Sequence, residues 1–221
     1  DDTQYLIVRT KLFAPIQVQV SLDNRADAID RVVPARSARR LSQFSDRGEL
    51  RYRWVIGDPD AEPSDQPYQF PVSEPGSYRI TQAFNGRFSH HSRPNRYAID
   101  IEVQVGTGIV AARGGTVTGA RDDYHMSGRS EYFLDKANYV RVLHEDGTYA
   151  VYAHILRGSA AVAPGDTVEQ GQKLARAGST GFSTGPHLHF VVRRNAGLET
   201  RSVEFAMEDR RGEAISLKRG T

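Results

Sequence analysis

Cysteine is absent from the 221 residues, so the chain can form no disulfide and offers no thiolate as metal ligand or nucleophile. Its absence does not identify a compartment. Long apolar runs are also missing. None approaches the ~20 residues of a transmembrane helix, and we expect no membrane span in the chain as given. The first residue is Asp1 rather than Met, which fits a removed signal or anchor segment and fits a trimmed chain equally well.

Lysine is scarce, at 4 of the 29 basic residues, and the remainder are arginine. Arginine pairs such as Arg39-Arg40 and Arg193-Arg194 could bind an anionic polymer. A solvated surface balanced by the 27 acidic residues is the favoured interpretation. No basic run is long or interleaved with aromatic residues, so we expect no nucleic-acid partner.

Apolar and polar residues alternate with a period of two in several segments, among them 5–8, 16–22 and 51–56. This period is typical of half-buried strands, whereas no long segment carries the 3.6-residue apolar stripe of a helix. The sequence therefore predicts an all-β chain.

Proline and turn-forming residues divide the chain. We expect a small β module at 1–58, a linker at 59–77, a larger β domain at 78–195 and a charged extension at 196–221. The first module is too small to hold a sizeable core alone, so it should dock on the larger domain.

The clearest chemical motif is His-x-His at His187 and His189. Residues i and i+2 of a strand project from the same face, so both imidazoles should enter one space, with Leu188 and Phe190 facing the core behind them. A metal ligand beside a catalytic base would use such a pair. Two satisfied surface histidines are the alternative.

Two other segments carry candidate groups. Asp100 interrupts an apolar strand that follows Phe88-Ser89-His90-His91, and a buried carboxylate there needs a partner. His154 ends another predicted strand. Taken alone, each could be an ordinary surface or strand-end residue. Together with the His-x-His pair, they offer two histidines and a carboxylate as ligands, and a catalytic zinc needs three protein ligands and an open position.

In order and content these segments resemble the lysostaphin/LytM-type zinc metalloendopeptidases, which cleave peptide cross-links of peptidoglycan. The resemblance runs from about Tyr78 to Arg193. It implies that 78–195 is an antiparallel β-sheet catalytic domain of this type. The matching stretches are 88–100, 105–117, 137–140, 144–154, 162–171 and 178–190.

The resemblance implies one zinc ion per chain, held by His90, Asp100 and His189. It also implies that His154 and His187 form the catalytic pair around a metal-activated water. The expected partners are peptidoglycan stem peptides or cross-bridges, and the expected location is periplasmic or secreted, at the cell wall. The oligomeric state and the bond that is cut stay open.

The sequence departs from the family pattern in two places. His90 lies ten residues before Asp100, whereas many relatives have four, so His91 competes with His90 as a ligand; the preceding Phe88-Ser89 favours His90. Some relatives also carry a tyrosine upstream of the first ligand, where Phe84 stands here. Oxyanion stabilisation must then come from zinc, a histidine or a backbone amide.

Two further residues invite a prediction. Asn138 is unusual inside a strand; it could hydrogen-bond the substrate or satisfy a strand edge, and the two alternatives are equally weighted. His144 precedes Glu145-Asp146-Gly147 in a predicted hairpin turn, and we expect it at the surface.

Three other functions use some of these features. A mononuclear iron oxygenase also uses two histidines and a carboxylate, but keeps His and Asp close on one strand and needs no additional histidine pair. A non-catalytic module of the same fold would have lost ligands. If the chain were an arginine-based interaction domain, the ordered pattern of histidines would be a coincidence. An active peptidase accounts for all five residues.

Overall fold

The computed structural model describes residues 4–22, 28–44 and 49–220, and nearly every regular element in these ranges is a β-strand. The strands of the first part are β1 Gln4–Arg9, β2 Ile16–Leu22, β3 Ile29–Val33, β4 Ala38–Phe44 and β5 Leu50–Ile56. The next are β6 Tyr68–Gln69, β7 Ile80–Gln82, β8 Ala98–Glu102, β9 Gly108–Val110, β10 Gly115–Arg121, β11 Ser127–Gly128, β12 Tyr139–Leu143 and β13 Tyr149–Ala153. The last are β14 Thr167–Val168, β15 Lys173–Arg176, β16 Gly181–Phe182, β17 His187–Asn195, β18 Thr200–Ser202, β19 Met207–Glu208 and β20 Ala214–Ile215.

The helical structure in the described ranges is a single 3₁₀ turn at Glu131–Phe133, and no described helix is long and apolar enough to cross a membrane. The prediction of an all-β, antiparallel fold is confirmed. The strand pairs are antiparallel except for β11 with β16 and β6 with β19, which are short parallel pairs.

An eight-stranded antiparallel sheet forms the centre of the molecule. Its order is β14-β10-β12-β13-β17-β8-β7, and β18 pairs with β17 outside this path. Alternation along β17 sends Leu188, Phe190 and Val192 into the main hydrophobic core, all fully buried. The opposite face of the same strand carries His187 and His189, so one face of the sheet is apolar while the other can hold chemistry.

The N-terminal strands pack on this second face. Their sheets have the orders β1-β4 and β3-β2-β5. Val18 and Val20 of β2 share a hydrophobic cluster with Val151 of β13 and Val191 of β17. The N-terminal part therefore covers the part of this sheet face that lies further along the strands from the histidines. Its docking on the larger domain is what we expected from its small size.

The segment predicted as a linker, 59–77, is not a free connector. Tyr68 and Val72 are buried in the main core, and β6 within this segment pairs with β19. Met207 of β19 lies in the same core, although it belongs to the predicted C-terminal extension. Both flanking segments thus complete the core of the central sheet, because their apolar side chains cover its apolar face.

The prediction of a surface position for His144 is wrong. Its side chain is 3% exposed. Its Nδ1 donates to the Gly114 carbonyl oxygen at 2.8 Å, and the ring packs edge-on against Tyr68. Tyr68 lies 76 residues upstream of His144 in the chain. The hairpin turn is therefore covered by a distant segment, which the local sequence around His144 does not predict.

Candidate metal centre

Three of the predicted site residues meet at one point. His90, Asp100 and His189 each offer a ligand atom, and these atoms lie within 4.8 Å of one another. His90 Nε2 is 3.2 Å and His189 Nδ1 is 2.8 Å from the same oxygen, Asp100 Oδ1. Four tetrahedral ligands at zinc bond lengths of ~2.0–2.1 Å lie about 3.3 Å apart, so the spacing of the three atoms suits a zinc ion.

Neighbouring strands bring Asp100 and His189 together. In the register of β8 and β17, His189 is directly opposite Asp100, and both project from the face that does not enter the main core. His90 comes from the loop between β7 and β8. It is fully buried, and its Nδ1 lies 3.1 Å from the Ala83 carbonyl oxygen. That carbonyl can only accept a hydrogen bond, so Nδ1 carries the proton and Nε2 keeps a free lone pair.

Asp100 is a buried carboxylate, and no lysine or arginine of the described residues forms an ion pair with it. Burial by itself would raise its pKa, but hydrogen bonds from His189 and His90 outweigh this and lower the pKa below its usual value. Among the described residues, the ion-pair partners of Asp100 are histidines alone, with no lysine or arginine. Buried charges in proteins are paired or coordinate metals, so we expect a bound cation to balance the charge of Asp100.

His154 follows the last residue of β13 and also enters the site. Strict alternation would turn it away, because Ala153 is the residue opposite His189. Its backbone instead adopts a φ of 65°, a region that costs a non-glycine residue about 1–3 kcal/mol. Its Nδ1 lies 2.7 Å from the Thr180 carbonyl oxygen, which leaves Nε2 as an acceptor. Burial lowers the pKa of His154 to about 3, and the ring is therefore neutral at pH 7.

His187 completes the group. Its ring centroid is 4.5 Å from that of His154. Its Nδ1 lies 2.8 Å from the Gly185 carbonyl oxygen, and its Nε2 lies 3.8 Å from Asp100 Oδ1. Both histidines thus hold Nδ1 against a carbonyl and present Nε2 to the space near the three candidate ligands.

Asp100, His154, His187 and His189 line a groove of about 1490 Å³ on the open part of the sheet face. The loop between β7 and β8 and the loop before β17 form its sides. Phe88 of the first loop stacks on Phe182, the last residue of β16 just before the second loop, with ring centroids 5.6 Å apart and an angle of 21° between the planes. An aromatic contact therefore joins the two sides of the groove.

The two residues that mark departures from the family pattern occupy different settings. His91 is exposed on the groove wall, whereas its neighbour His90 faces Asp100. Phe84 packs edge-on against Tyr97 and Phe205. Phe84 also lines the groove, so its ring joins the apolar packing to the groove wall.

Asn138 is fully buried, and its amide bonds to backbone. Its Oδ1 accepts from Tyr124 N at 3.0 Å, and its Nδ2 donates to the carbonyl oxygens of Tyr124 at 2.8 Å and Ile155 at 3.3 Å. Its own backbone N donates to Thr180 Oγ1 at 3.0 Å, and the Thr180 carbonyl faces His154. These contacts favour the structural alternative, while substrate binding by Asn138 stays a prediction.

Sequence reasoning missed two contributors to the site. Gln82 donates to Asp100 Oδ2 at 2.9 Å, and Thr180 orients His154. No residue-type pattern marks either one. Gln82 is separated from Asp100 by 18 positions, and Thr180 acts through its backbone carbonyl, which every residue type carries.

Residues 94–201 match the model of Peptidase family M23. These residues form an M23 peptidase domain. The M23 segment contains Asp100, His154, His187 and His189, and His90 lies four residues before its first position.

Curated relatives include an uncharacterized metalloprotease of Haemophilus influenzae, 33% identical over 121 residues, which are 53% of this chain and 23% of that protein. The peptidoglycan DD-endopeptidase ShyC of Vibrio cholerae is 34% identical over 115 residues, 51% of this chain and 24% of that protein. Lysostaphin of Staphylococcus simulans is 34% identical over 95 residues, 42% of this chain and 17% of that protein. The chain spans about a quarter of the length of the first curated relatives it matches.

Among solved structures, a variant of the catalytic domain of the prophage-encoded M23 protein EnpA from Enterococcus faecalis is similar. It is 26% identical, and the alignment covers 60% of this chain and 93% of that chain with a TM-score of 0.43.

Proposed function

We propose that this chain is a zinc-dependent endopeptidase that hydrolyses peptide cross-links of bacterial peptidoglycan. The observation that carries the proposal is the buried Asp100 carboxylate, which lacks a cationic side chain among the described residues and faces His90 and His189 within ligand distance. The M23 match and the relatives named as a peptidoglycan endopeptidase and lysostaphin support the reaction class.

The donor set suits zinc. His90, Asp100 and His189 would hold the metal through two imidazole nitrogens and one carboxylate oxygen, a set that catalytic zinc sites use. When bound, zinc lowers the pKa of a coordinated water to about 7 and polarises the carbonyl of the scissile peptide bond.

We assign the proton transfers to His154 and His187. Each ring presents Nε2 with a lone pair, because its Nδ1 is held by a backbone carbonyl. A neutral imidazole in that position can take a proton from the attacking water and return it to the leaving amine nitrogen. Hydrogen bonds to the Thr180 and Gly185 carbonyls fix the tautomer that this role requires.

The finer parts of the proposal concern substrate, location and domains. We propose that stem peptides or cross-bridges lie in the groove, and that the protein acts at the cell wall from the periplasm or the exterior. We place the catalytic domain at 78–195, with 1–58 as a docked module. Tyr68 of 59–77 and Met207 of β19 are buried in the main core, which supports keeping both flanking segments with the catalytic domain.

Digestion of purified sacculi tests this function. The zinc-loaded chain is incubated with sacculi whose cross-links are glycine bridges and with sacculi whose cross-links are D-alanyl-diaminopimelate bonds, and products are identified by mass spectrometry. We expect new peptide termini at one cross-link type. Asp100→Ala and chelator-treated protein serve as inactive controls, since both remove the metal. Absence of new termini from both substrates with zinc-loaded protein would reject the proposal.

A further inference from the structure

Gln82 reaches the metal centre through an irregularity in strand pairing. Ile80 of β7 is opposite Ile101 of β8, so a regular antiparallel ladder would set Gln82 opposite Ile99, which is buried in the main core. A register shift between Ile80 and Gln82 instead sets Gln82 opposite Asp100. Bulges of this kind re-aim side chains beside active sites. Here the bulge turns a glutamine from the core face to the carboxylate.

All four hydrogen-bonding positions of the Gln82 amide have partners. Its Nε2 donates to Asp100 Oδ2 at 2.9 Å and to Ser89 Oγ at 2.7 Å. Its Oε1 accepts from the backbone N of Phe88 at 3.1 Å and of Ser89 at 3.4 Å. Two donors and two acceptors are the full capacity of an amide side chain, so this orientation is the one that satisfies every group.

These partners lie on the two chain segments that supply neighbouring ligands. Asp100 belongs to β8, while Ser89 immediately precedes His90 in the loop. Gln82 holds Oδ2 of Asp100, and the other carboxylate oxygen, Oδ1, faces His90 and His189. The glutamine thereby sets both the rotation of the carboxylate and the distance between the loop and the strand.

We infer that Gln82 is the positioning residue of the metal centre, which joins the His90 loop to the Asp100 carboxylate and leaves one oxygen free for the metal. This inference rests on the proposed metal site. Positioning by an outer hydrogen-bond partner typically changes metal affinity by ~10–100-fold.

Gly86 offers a second way to test the position of Gln82, without altering the glutamine itself. A Cβ at this position would lie 2.3 Å from Gln82 Cγ and 2.8 Å from its Cδ, closer than carbon atoms can approach. The loop therefore passes over the glutamine only because residue 86 has no side chain. Gly86→Ala should push Gln82 away from Asp100 without changing any hydrogen-bonding group.

The test compares zinc affinities of full-length variants by competition with a chromophoric chelator. Gln82→Met keeps the side-chain length and removes all four hydrogen bonds, and Gly86→Ala displaces the glutamine. We expect ~10–100-fold weaker zinc binding for both. Matched controls are Gln104→Met at an exposed glutamine and Gly76→Ala, whose Cβ would meet only ordinary contacts at 3.6 Å or more. Both controls should bind zinc as the unaltered chain does.

The Co²⁺ absorption spectrum supplies a second readout that a general loss of stability would not move. At saturating Co²⁺, Gln82→Met and Gly86→Ala should shift the visible ligand-field bands, while the controls should not. If the unaltered chain binds zinc and both variants match it in affinity and spectrum, the inference alone is overturned. If the unaltered chain binds no zinc, the proposed metal site is wrong, and the inference about Gln82 is wrong as well. Melting in chelator confirms that each variant is folded.

Discussion

Two clusters among the described residues pair a buried histidine with a buried or largely buried aspartate, and they differ in how the carboxylate is balanced. In the metal-centre cluster, Asp100 has histidines and a glutamine around it. The second group, here called the closed cluster, consists of Tyr68, Arg113, His144, Asp146 and Thr148. There Arg113 donates to Asp146 Oδ2 at 2.8 Å, and Thr148 donates to Oδ1 at 2.6 Å.

Within the described residues, the closed cluster balances the charge of Asp146 with Arg113, although the buried atoms Arg113 Nε and His144 Nε2 have no hydrogen-bond partner. Its guanidinium lies 3.8 Å from the centroid of the Tyr68 ring, and Tyr68 Oη bonds to Thr148 Oγ1 at 3.0 Å. Burial of histidine and aspartate is therefore not what marks a site. A metal site is distinguished instead by a buried negative charge that no positively charged protein group neutralises. A bound ion must then supply the positive charge.

The largest expected difference between the clusters is in metal binding. Asp100→Ala and His189→Ala each remove a proposed ligand, so zinc affinity should fall by more than the ~10–100-fold typical of an outer partner. Asp146→Ala leaves Arg113 buried without its carboxylate and should cost about 3 kcal/mol of stability, with zinc affinity unchanged. Elemental analysis, chelator competition and urea unfolding measure these effects. Stoichiometric iron in the unaltered chain, or zinc loss in Asp146→Ala, would contradict the division.

The second-largest expected difference between the two clusters is in catalytic activity. His154→Ala and His187→Ala are expected to keep zinc and to lose activity by ~10²–10⁴-fold, the usual contribution of a general acid–base group. His144→Gln in the closed cluster should retain activity. Initial rates on sacculi together with metal content give the answer. Equal zinc loss in His154→Ala and Asp100→Ala would show that His154 is a ligand rather than an acid–base group.

Titration of His144 sharpens the comparison at acid pH. Burial lowers the pKa of His144 from 6.5 to about 4 in the folded protein. Between these values the unfolded chain binds the proton and the folded chain does not, so the free energy of unfolding falls as pH drops from about 6.5 to about 4. His144→Gln removes this dependence. Over the same interval it should lose about 3 kcal/mol less than the unaltered chain, measured by urea unfolding in chelator.

The sequence predicted those features that depend on local periodicity. Alternation in 187–190 placed His187 and His189 on one face and Leu188 and Phe190 in the core, and the burial of Leu188 and Phe190 follows that pattern. It could not predict the burial of His144, because the covering residue Tyr68 comes from a segment that is distant in sequence. The position of Gln82 was equally hidden, since it depends on a one-residue bulge in pairing with β8.

The smallest expected effect concerns the aromatic contact across the groove. Phe88 lies in the loop between β7 and β8, Phe182 ends β16, and Gln82 Oε1 accepts a hydrogen bond from the backbone N of Phe88. The stack therefore connects the opposite side of the groove to the segment that carries His90. The closed cluster has no comparable connection to the groove, since none of its members lines it among the described residues.

Aromatic pairs contribute ~0.5–1.5 kcal/mol beyond their buried area, so Phe88→Ala or Phe182→Ala should raise KM by a few-fold to about 10-fold and leave zinc bound. Because the proposed effect belongs to the contact, the double variant should lose little more than either single variant. Steady-state rates on a soluble cross-linked muropeptide measure this, and Met126→Ala, an exposed apolar residue outside the groove lining, is the control. Additive losses would mean that each ring contacts the substrate separately and that the stack itself does not shape the groove.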